Sequence, residues 1–134
     1  MAVLDLGGNV YAMGQSEKKA PWKIGLQDPD SDRGNYLAVE ELSDKTCVTS
    51  GSYERYFEKD GKIYHHIIDP ATGYPADSGL ISVSVVGNSS FEADMLSTAI
   101  FVMGKEKFEP IKKNFDFDRY TVVTKTNQSS TMSK

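Results

Sequence analysis

One stretch in the second half of the sequence restricts the possible folds more than any other. Ser89 and Glu92 have the spacing of a capping box, which marks the start of a helix, and Gly104 offers a stop at the other end. Between these signals, residues 91–103 are apolar around nearly the whole circumference of a helix. A helix of this kind is normally buried, so we expect it to be packed among other elements.

The segments before this helix alternate between apolar and polar residues, as strands do. Asp60 and Gly61 separate two such runs and predict a hairpin, because both residues tolerate positive φ. Residues 105–113 predict a second helix, whose regularity Pro110 would limit. Many strands and one or two packed helices predict an α+β fold with a mainly antiparallel sheet.

The 134 residues are enough for one domain with a hydrophobic core. We assign residues 1–126 to that domain and expect the polar residues 127–134 to be a frayed tail. Residues 1–6 begin inside a strand pattern without any lead-in. We therefore expect the chain to be a natural fragment or a truncated piece of a longer protein.

Composition excludes several classes of function. The net charge of -4 leaves no basic stripe for a nucleic acid. No apolar run reaches the roughly 18 residues that suggest a membrane span. Cys47 is the single cysteine, which excludes an internal disulfide. It lies in an apolar-leaning strand pattern, so we predict a small buried residue rather than a nucleophile.

Three polar side chains interrupt the apolar helix after its first turn. Asp94, Ser97 and Thr98 share one arc of the helix surface, since positions three and four apart are neighbours. A carboxylate with a hydroxyl one turn later offers the hard oxygen ligands that magnesium favours. The same pattern also fits a short polar stripe that faces solvent, and the residues alone leave both interpretations open.

Two adjacent histidines precede a stiff loop. In a strand, His65 and His66 would point to opposite faces, so one of them can face a site. His66 comes shortly before Asp69-Pro70, where the strand ends, and a histidine there could act as a general base. A surface histidine, or one with satisfied hydrogen bonds, explains the pattern equally well.

Two glycine-containing turns could bring backbone N–H groups close to a phosphate or a ring edge. They are Gly7-Gly8-Asn9 and Ser50-Gly51-Ser52. The first matches neither the phosphate-loop nor the dinucleotide fingerprint, and plain turns explain both segments as well.

Four segments resemble, in the same order, those of the ApbE family of FAD:protein FMN transferases, formerly called thiamine biosynthesis lipoproteins. They are residues 6–14 (LGGNVYAMG), 49–57 (TSGSYERYF), 64–75 (YHHIIDPATGYP) and 93–104 (ADMLSTAIFVMG). The last two segments are long and specific, and the match runs through most of the chain. The resemblance implies a T-fold-like α+β architecture.

The same resemblance implies roles for individual residues. Asp94 and Thr98 would hold magnesium, and Ser97 stands where some members have an acidic metal ligand. His66 would be the catalytic residue. The residues that the resemblance implies for FAD binding are Gly7, Gly8, Asn9, Ser50, Gly51, His66 and Ile67.

The implied activity is magnesium-dependent transfer of FMN from FAD to a threonine or serine hydroxyl of an acceptor flavoprotein, with release of AMP. Family members are much longer, and the absent N-terminal half would supply much of the adenosine site and a further metal ligand. We therefore expect this chain alone to bind magnesium and FAD weakly and to transfer poorly. Tight FAD binding in isothermal titration would contradict that expectation.

Two alternative functions stay open. The chain could be a non-catalytic flavin-binding or interaction module derived from the family, or an FAD pyrophosphatase that gives FMN and AMP. The resemblance also implies that the full-length protein is exported, lipid-anchored and therefore membrane-associated, at the periplasm or cell surface.

Overall fold

A computed structural model describes residues 1–29, 31, 34–126 and 128–134. Its strands are β1 (Ala2–Asp5), β2 (Asn9–Met13), β3 (Trp22–Gln27), β4 (Tyr36–Leu42), β5 (Lys45–Gly51), β6 (Tyr56–Lys59), β7 (Lys62–His65), β8 (Ile68–Asp69), β9 (Tyr74–Pro75), β10 (Leu80–Gly87), β11 (Arg119–Thr124) and β12 (Ser129–Ser133). Its helices are α1 (Ser90–Met103) and α2 (Lys105–Phe108), followed by a 3-10 turn at Lys112–Asn114.

One antiparallel sheet organises the fold. Its spatial order is β1-β2-β5-β10-β11-β12, and each neighbouring pair is antiparallel. The remaining strands form the hairpins β3–β4, β6–β7 and β8–β9. The predicted α+β fold with a mainly antiparallel sheet is therefore confirmed, as is the hairpin at Asp60-Gly61.

Strand β10 is central and nearly continuously buried, which suits its β-branched sequence. Val83 and Val85 belong to the core shared with α1. Val86 belongs to a second core on the opposite side, where Leu26 and Leu42 of the β3–β4 hairpin cover the sheet. The sheet is thus the middle layer between a helix and a hairpin.

The predicted boundaries of α1 are confirmed. The Ser89 hydroxyl accepts a hydrogen bond from the N–H of Glu92 at 3.3 Å. At the other end, Gly104 has a φ of 84° and its N–H donates to the Ile100 carbonyl at 2.8 Å. The second helix is shorter than residues 105–113, because α2 ends before Pro110.

The expectation that α1 is buried among other elements is confirmed for one side of the helix and wrong for another. Leu96 and Ile100 are 5% and 1% exposed against the sheet, whereas Phe91 and Met95 on another side are 73% and 51% exposed. The described part of α1 packs mainly on β5 and β10. Periodicity identifies apolar sides of a helix, but it does not show how many of them have a partner.

The prediction of a frayed tail over residues 127–134 is also wrong for most of that segment. Residues 129–133 form β12 and pair with β11 along five residues. The Thr121 and Thr131 hydroxyls lie 2.8 Å apart across this pair. Pairing with β12 gives hydrogen-bond partners to the backbone N–H and C=O groups on the outer edge of β11. This gain stabilises the strand even though the segment is polar. Asn127 lies outside the described residues.

An ion pair ties the β3–β4 hairpin to the main sheet. The Nε and Nη2 atoms of Arg119 lie 2.7 Å and 2.5 Å from Oε2 of Glu40 in β4. Glu40 is only 6% exposed. Beside it, burial raises the pKa of the Cys47 thiol to about 12. A thiol in this state stays protonated, which agrees with the prediction that Cys47 is a buried structural residue.

Candidate active site

A polar cleft of about 360 Å³ opens beside the exposed edge of α1. Its walls come from the β1–β2 turn, the end of β5, the segment after β5, the segment after β7, and α1. Seven of the ten residues predicted from the sequence line it together: Gly7, Ser50, Gly51, His66, Ile67, Asp94 and Thr98. Gly8, Asn9 and Ser97 lie outside this lining.

Hydroxyl groups form one side of the cleft. The Ser50 hydroxyl, at the end of β5, lies 3.1 Å from that of Thr98 and 2.8 Å from that of Ser97. Ser97 is fully buried and donates to the Asp94 carbonyl at 3.0 Å. Ser97 therefore lies behind Ser50 and fixes its position, rather than facing the cleft.

Asp94 and Thr98 face the cleft one helical turn apart and are both exposed. Within the described residues, the Asp94 carboxylate has no hydrogen bond or ion pair, so its oxygens are available to a ligand. One carboxylate and the hydroxyls of Ser50 and Thr98 are the hard oxygen donors that suit magnesium. No group of three histidine, cysteine or acidic residues that could hold a metal occurs in the described part of the chain. The donor set present here therefore fits magnesium only if substrate phosphates and water complete it.

His66 also lines this cleft. Its backbone N–H donates to the Arg55 carbonyl at 3.3 Å, and its Nδ1 is 3.3 Å from the same oxygen. Because a carbonyl can only accept, this second contact places the proton of a neutral ring on Nδ1. The other nitrogen, Nε2, is then unprotonated and able to take a proton from a substrate.

His65 faces away from the cleft, as strand geometry predicts. Its ring contacts Phe101 edge to face, with centroids 5.4 Å apart, and its Nε2 lies 3.1 Å from the Ala76 carbonyl. Partial burial lowers the pKa of His65 below its ordinary value of 6.5, because loss of water disfavours the charged ring. His65 is therefore a packing residue, and His66 is the histidine available for chemistry.

The glycine turn approaches the cleft through its backbone. Gly8 has a φ of 88°, and a Cβ atom there would lie 3.1 Å from the Thr49 carbonyl. The Gly8 carbonyl in turn accepts a hydrogen bond from the Thr49 N–H at 2.8 Å. Asn9 lies in β2 with its side-chain oxygen 3.5 Å from the Thr46 hydroxyl. Gly8 and Asn9 thus hold the turn against β5, and Gly7 is the turn residue that lines the cleft.

Four cleft residues were missed from the sequence: Thr49, Glu54, Arg55 and Ile68. Glu54 and Arg55 follow β5 in an irregular segment, where an isolated charged pair gives no periodic signal. Counting strand pairs outward from the Asp60-Gly61 turn places Arg55 opposite His66. This pairing is the sequence signal that would identify Arg55 as a cleft residue.

Comparison with known proteins identifies the family of the chain. The profile of the ApbE family matches residues 1–118. The chain belongs to the ApbE family. An FAD:protein FMN transferase of Treponema pallidum is 42% identical over 85% of this chain and 34% of its own length. One from Klebsiella pneumoniae is 43% identical over 79% of this chain and 32% of its own length.

Solved ApbE structures show the same fold. The ApbE protein of Thermotoga maritima aligns with a TM-score of 0.85 at 36% identity, over 96% of this chain and 41% of its own. The flavin transferase ApbE of Vibrio cholerae aligns with a TM-score of 0.77 at 29% identity, over 98% and 41%. The chain thus spans about a third of the curated ApbE relatives and two fifths of the solved ones.

Proposed function

We propose that this chain carries the catalytic part of a magnesium-dependent FAD:protein FMN transferase. The observation that carries the proposal is the meeting of His66 with Asp94, Thr98 and Ser50 around one cleft. These residues come from a strand end, a helix and a different strand. A polar stripe that merely faced solvent would not require a histidine in the same cleft.

The residues of the cleft suit a displacement at phosphorus. The hydroxyl oxygen of a threonine or serine on the acceptor protein forms a new bond to the phosphorus of the FMN half of FAD. The bond from that phosphorus to the bridging oxygen breaks, and AMP leaves with that oxygen. Nε2 of His66 takes the hydroxyl proton as the new bond forms.

Asp94, Thr98 and Ser50 would hold the metal ion in the same cleft. A bound magnesium ion supplies positive charge that offsets the negative charge of the pyrophosphate. Ser97 supports this arrangement through its 2.8 Å contact with Ser50. Among the described residues, these donors are one carboxylate and two hydroxyls, and we expect the chain alone to bind the ion weakly.

We predict that Asp94→Asn lowers FMN transfer by on the order of 100-fold, because several kcal/mol of charge stabilisation depend on the metal. The assay host is a chimera in which this chain replaces the aligned segment of the Treponema pallidum relative. Transfer is read as the mass gain of an acceptor protein. Glu92→Gln is the matched control, since it neutralises another exposed carboxylate of α1 outside the cleft.

Other outcomes separate the alternatives. Full transfer by the Asp94→Asn chimera would contradict the assigned metal site. Release of FMN and AMP without any acceptor would favour a pyrophosphatase, and FAD binding without turnover would favour a non-catalytic module. The exported, lipid-anchored location of the full-length protein stays a prediction, which cell fractionation would test.

Among the described residues, no helix combines the length and apolarity that a bilayer-spanning helix needs.

A further inference from the structure

The β6–β7 hairpin has two unlike faces. Its register pairs Phe57 with Tyr64 and Lys59 with Lys62. Successive pairs project from opposite faces of the hairpin, so these two pairs, which are two positions apart, share one face. The hydrogen bond from His66 to the Arg55 carbonyl extends this ladder by one more pair. One face therefore carries Arg55, Phe57, Lys59, Lys62, Tyr64 and His66, and we call it the basic hairpin face.

The positively and negatively charged side chains of the hairpin project from different faces. The basic hairpin face carries three cations, Arg55, Lys59 and Lys62, all exposed. Glu58 projects from the opposite face. Within the described residues, none of the three cations forms an ion pair. The net charge of -4 predicted no basic stripe, so this strip of three unpaired cations is an exception to that prediction.

Aromatic rings lie between these cations. Phe57 is 61% exposed and stacks on Tyr64 with ring centroids 5.2 Å apart and planes 6° from parallel. A rigid exposed pair of this kind is typical of protein-binding surfaces, where aromatic residues supply contact area at low entropic cost. The strip thus combines apolar contact with positive charge.

The basic hairpin face begins inside the proposed active site. Arg55 and His66 both line the cleft, and the strip runs outward from them to Lys59 and Lys62 at the turn. Lys59 is four positions along the chain from Arg55, which is about 13 Å at roughly 3.3 Å per position. That length accommodates about four residues of an extended chain.

We propose that the basic hairpin face binds the acceptor protein, through an extended acidic segment next to the hydroxyl that receives FMN. This inference rests on the proposed function and names the partner of the same site. Opposite charge favours an acidic segment, and continuity with the cleft places its hydroxyl beside His66. The FAD pyrophosphate belongs at the metal side of the cleft, so the outer lysines are free for the protein partner.

A direct binding experiment tests the surface. A fluorescein-labelled peptide with one threonine between two pairs of aspartates is titrated with the 134-residue chain and followed by fluorescence anisotropy. We expect Lys59→Gln/Lys62→Gln to raise the Kd about five- to tenfold. The matched control is Tyr56→Glu/Ile63→Glu, which makes the same change in net charge on the opposite face, and it should change the Kd less than about twofold.

Two results of this titration would overturn the inference. One is an unchanged Kd in the lysine variant. The other is equal weakening in both variants, which would show that only net charge matters. The same peptide with asparagine at the aspartate positions should bind as weakly to the wild type as the acidic peptide binds to the lysine variant. Circular dichroism confirms that each variant is folded.

Kinetics in the chimera separate this inference from the proposed function. We expect Lys59→Gln/Lys62→Gln to raise the KM for the acceptor about five- to tenfold, with kcat and the KM for FAD unchanged. Absence of transfer by the wild-type chimera would contradict the proposed function and this inference with it. Normal transfer with an unchanged acceptor KM in the lysine variant would overturn this inference alone.

Discussion

At the scale of single residues, the cleft is built from side chains that are held by their neighbours. Ser50 is fixed by the buried hydroxyl of Ser97, and His66 is fixed twice by the Arg55 carbonyl. His65, the adjacent histidine, has a different environment, because its ring is partly buried against Phe101. The two histidines are therefore expected to respond differently to substitution.

Burial of His65 predicts a pH-dependent stability. Its pKa is lowered on folding, so the unfolded chain binds the proton more tightly and protonation favours unfolding. We expect the free energy of unfolding to fall as the pH drops below 6.5, the ordinary pKa of histidine. The fall should continue until the pH reaches the lowered pKa of His65 in the folded state. Urea unfolding between about pH 5.5 and 7.5 measures this slope.

His65→Gln should flatten that slope, since glutamine does not titrate but can still donate to the Ala76 carbonyl. Equal slopes in the wild type and His65→Gln would show that burial of His65 does not contribute. The carboxyl groups of Asp77 and Glu109 have pKa values lowered by Lys125 and Tyr120 respectively, so their contribution is lost only at more acidic pH.

At the scale of elements, local signals predicted more than long-range ones did. The capping residue Ser89 and the Asp60-Gly61 turn act within a few residues, and both α1 and the β6–β7 hairpin were predicted correctly. Strand β12 was missed because its serines and threonines carry little strand signal. It forms because β11 offers an unpaired edge, which no local pattern reveals.

The same distinction applies to the site. His66 and Asp94 could be predicted from the sequence, because His66 precedes the Asp69-Pro70 loop and Asp94 interrupts an apolar helix. Arg55 was missed because its place depends on the register of the hairpin, and Ser97 was assigned to the metal although it is buried behind Ser50. Which polar side of a helix faces a cleft is decided by tertiary packing.

The link between β4 and β11 gives a prediction for stability. We expect Arg119→Leu to lower the free energy of unfolding by about 2–4 kcal/mol, because it leaves the Glu40 carboxylate buried without its partner. Urea unfolding measures the loss. Lys23→Leu is the control, because it breaks an exposed pair with Glu41 at 4.0 Å, and it should change stability by less than about 0.5 kcal/mol.

The double variant Glu40→Leu/Arg119→Leu tests the cause of that loss. It removes both charges, so much of the stability should return if an unpaired buried carboxylate is responsible. A double variant as unstable as Arg119→Leu would point to lost packing of the arginine side chain instead.

At the scale of the whole molecule, one apolar side of α1 is exposed to solvent and is not covered by any of the described residues. Phe91 and Met95 are joined there by Ile68, which is 47% exposed and lines the same surface as Met95. The solved ApbE relatives are more than twice as long as this chain. A surface of this kind on the isolated chain should bind apolar dyes.

We predict that Met95→Gln reduces the fluorescence of bound anilinonaphthalene sulfonate and leaves the unfolding midpoint nearly unchanged, because Met95 is 51% exposed. The neighbouring Leu96 is 5% exposed, and Leu96→Ala should cost about 2–5 kcal/mol. Equal losses of stability in the two variants would show that the Met95 side of α1 is covered.

The single thiol of the chain lies beneath the β3–β4 hairpin, packed with Leu26 and Leu42 and 2% exposed. A disulfide reagent in solution can reach Cys47 only when that hairpin lifts away from the sheet. The rate of thiol labelling therefore reports a local opening of the fold, without any added probe. Arg119 holds this hairpin against the sheet through its ion pair with Glu40. Replacement of Arg119 should therefore accelerate labelling of Cys47 under conditions in which the rest of the sheet stays folded.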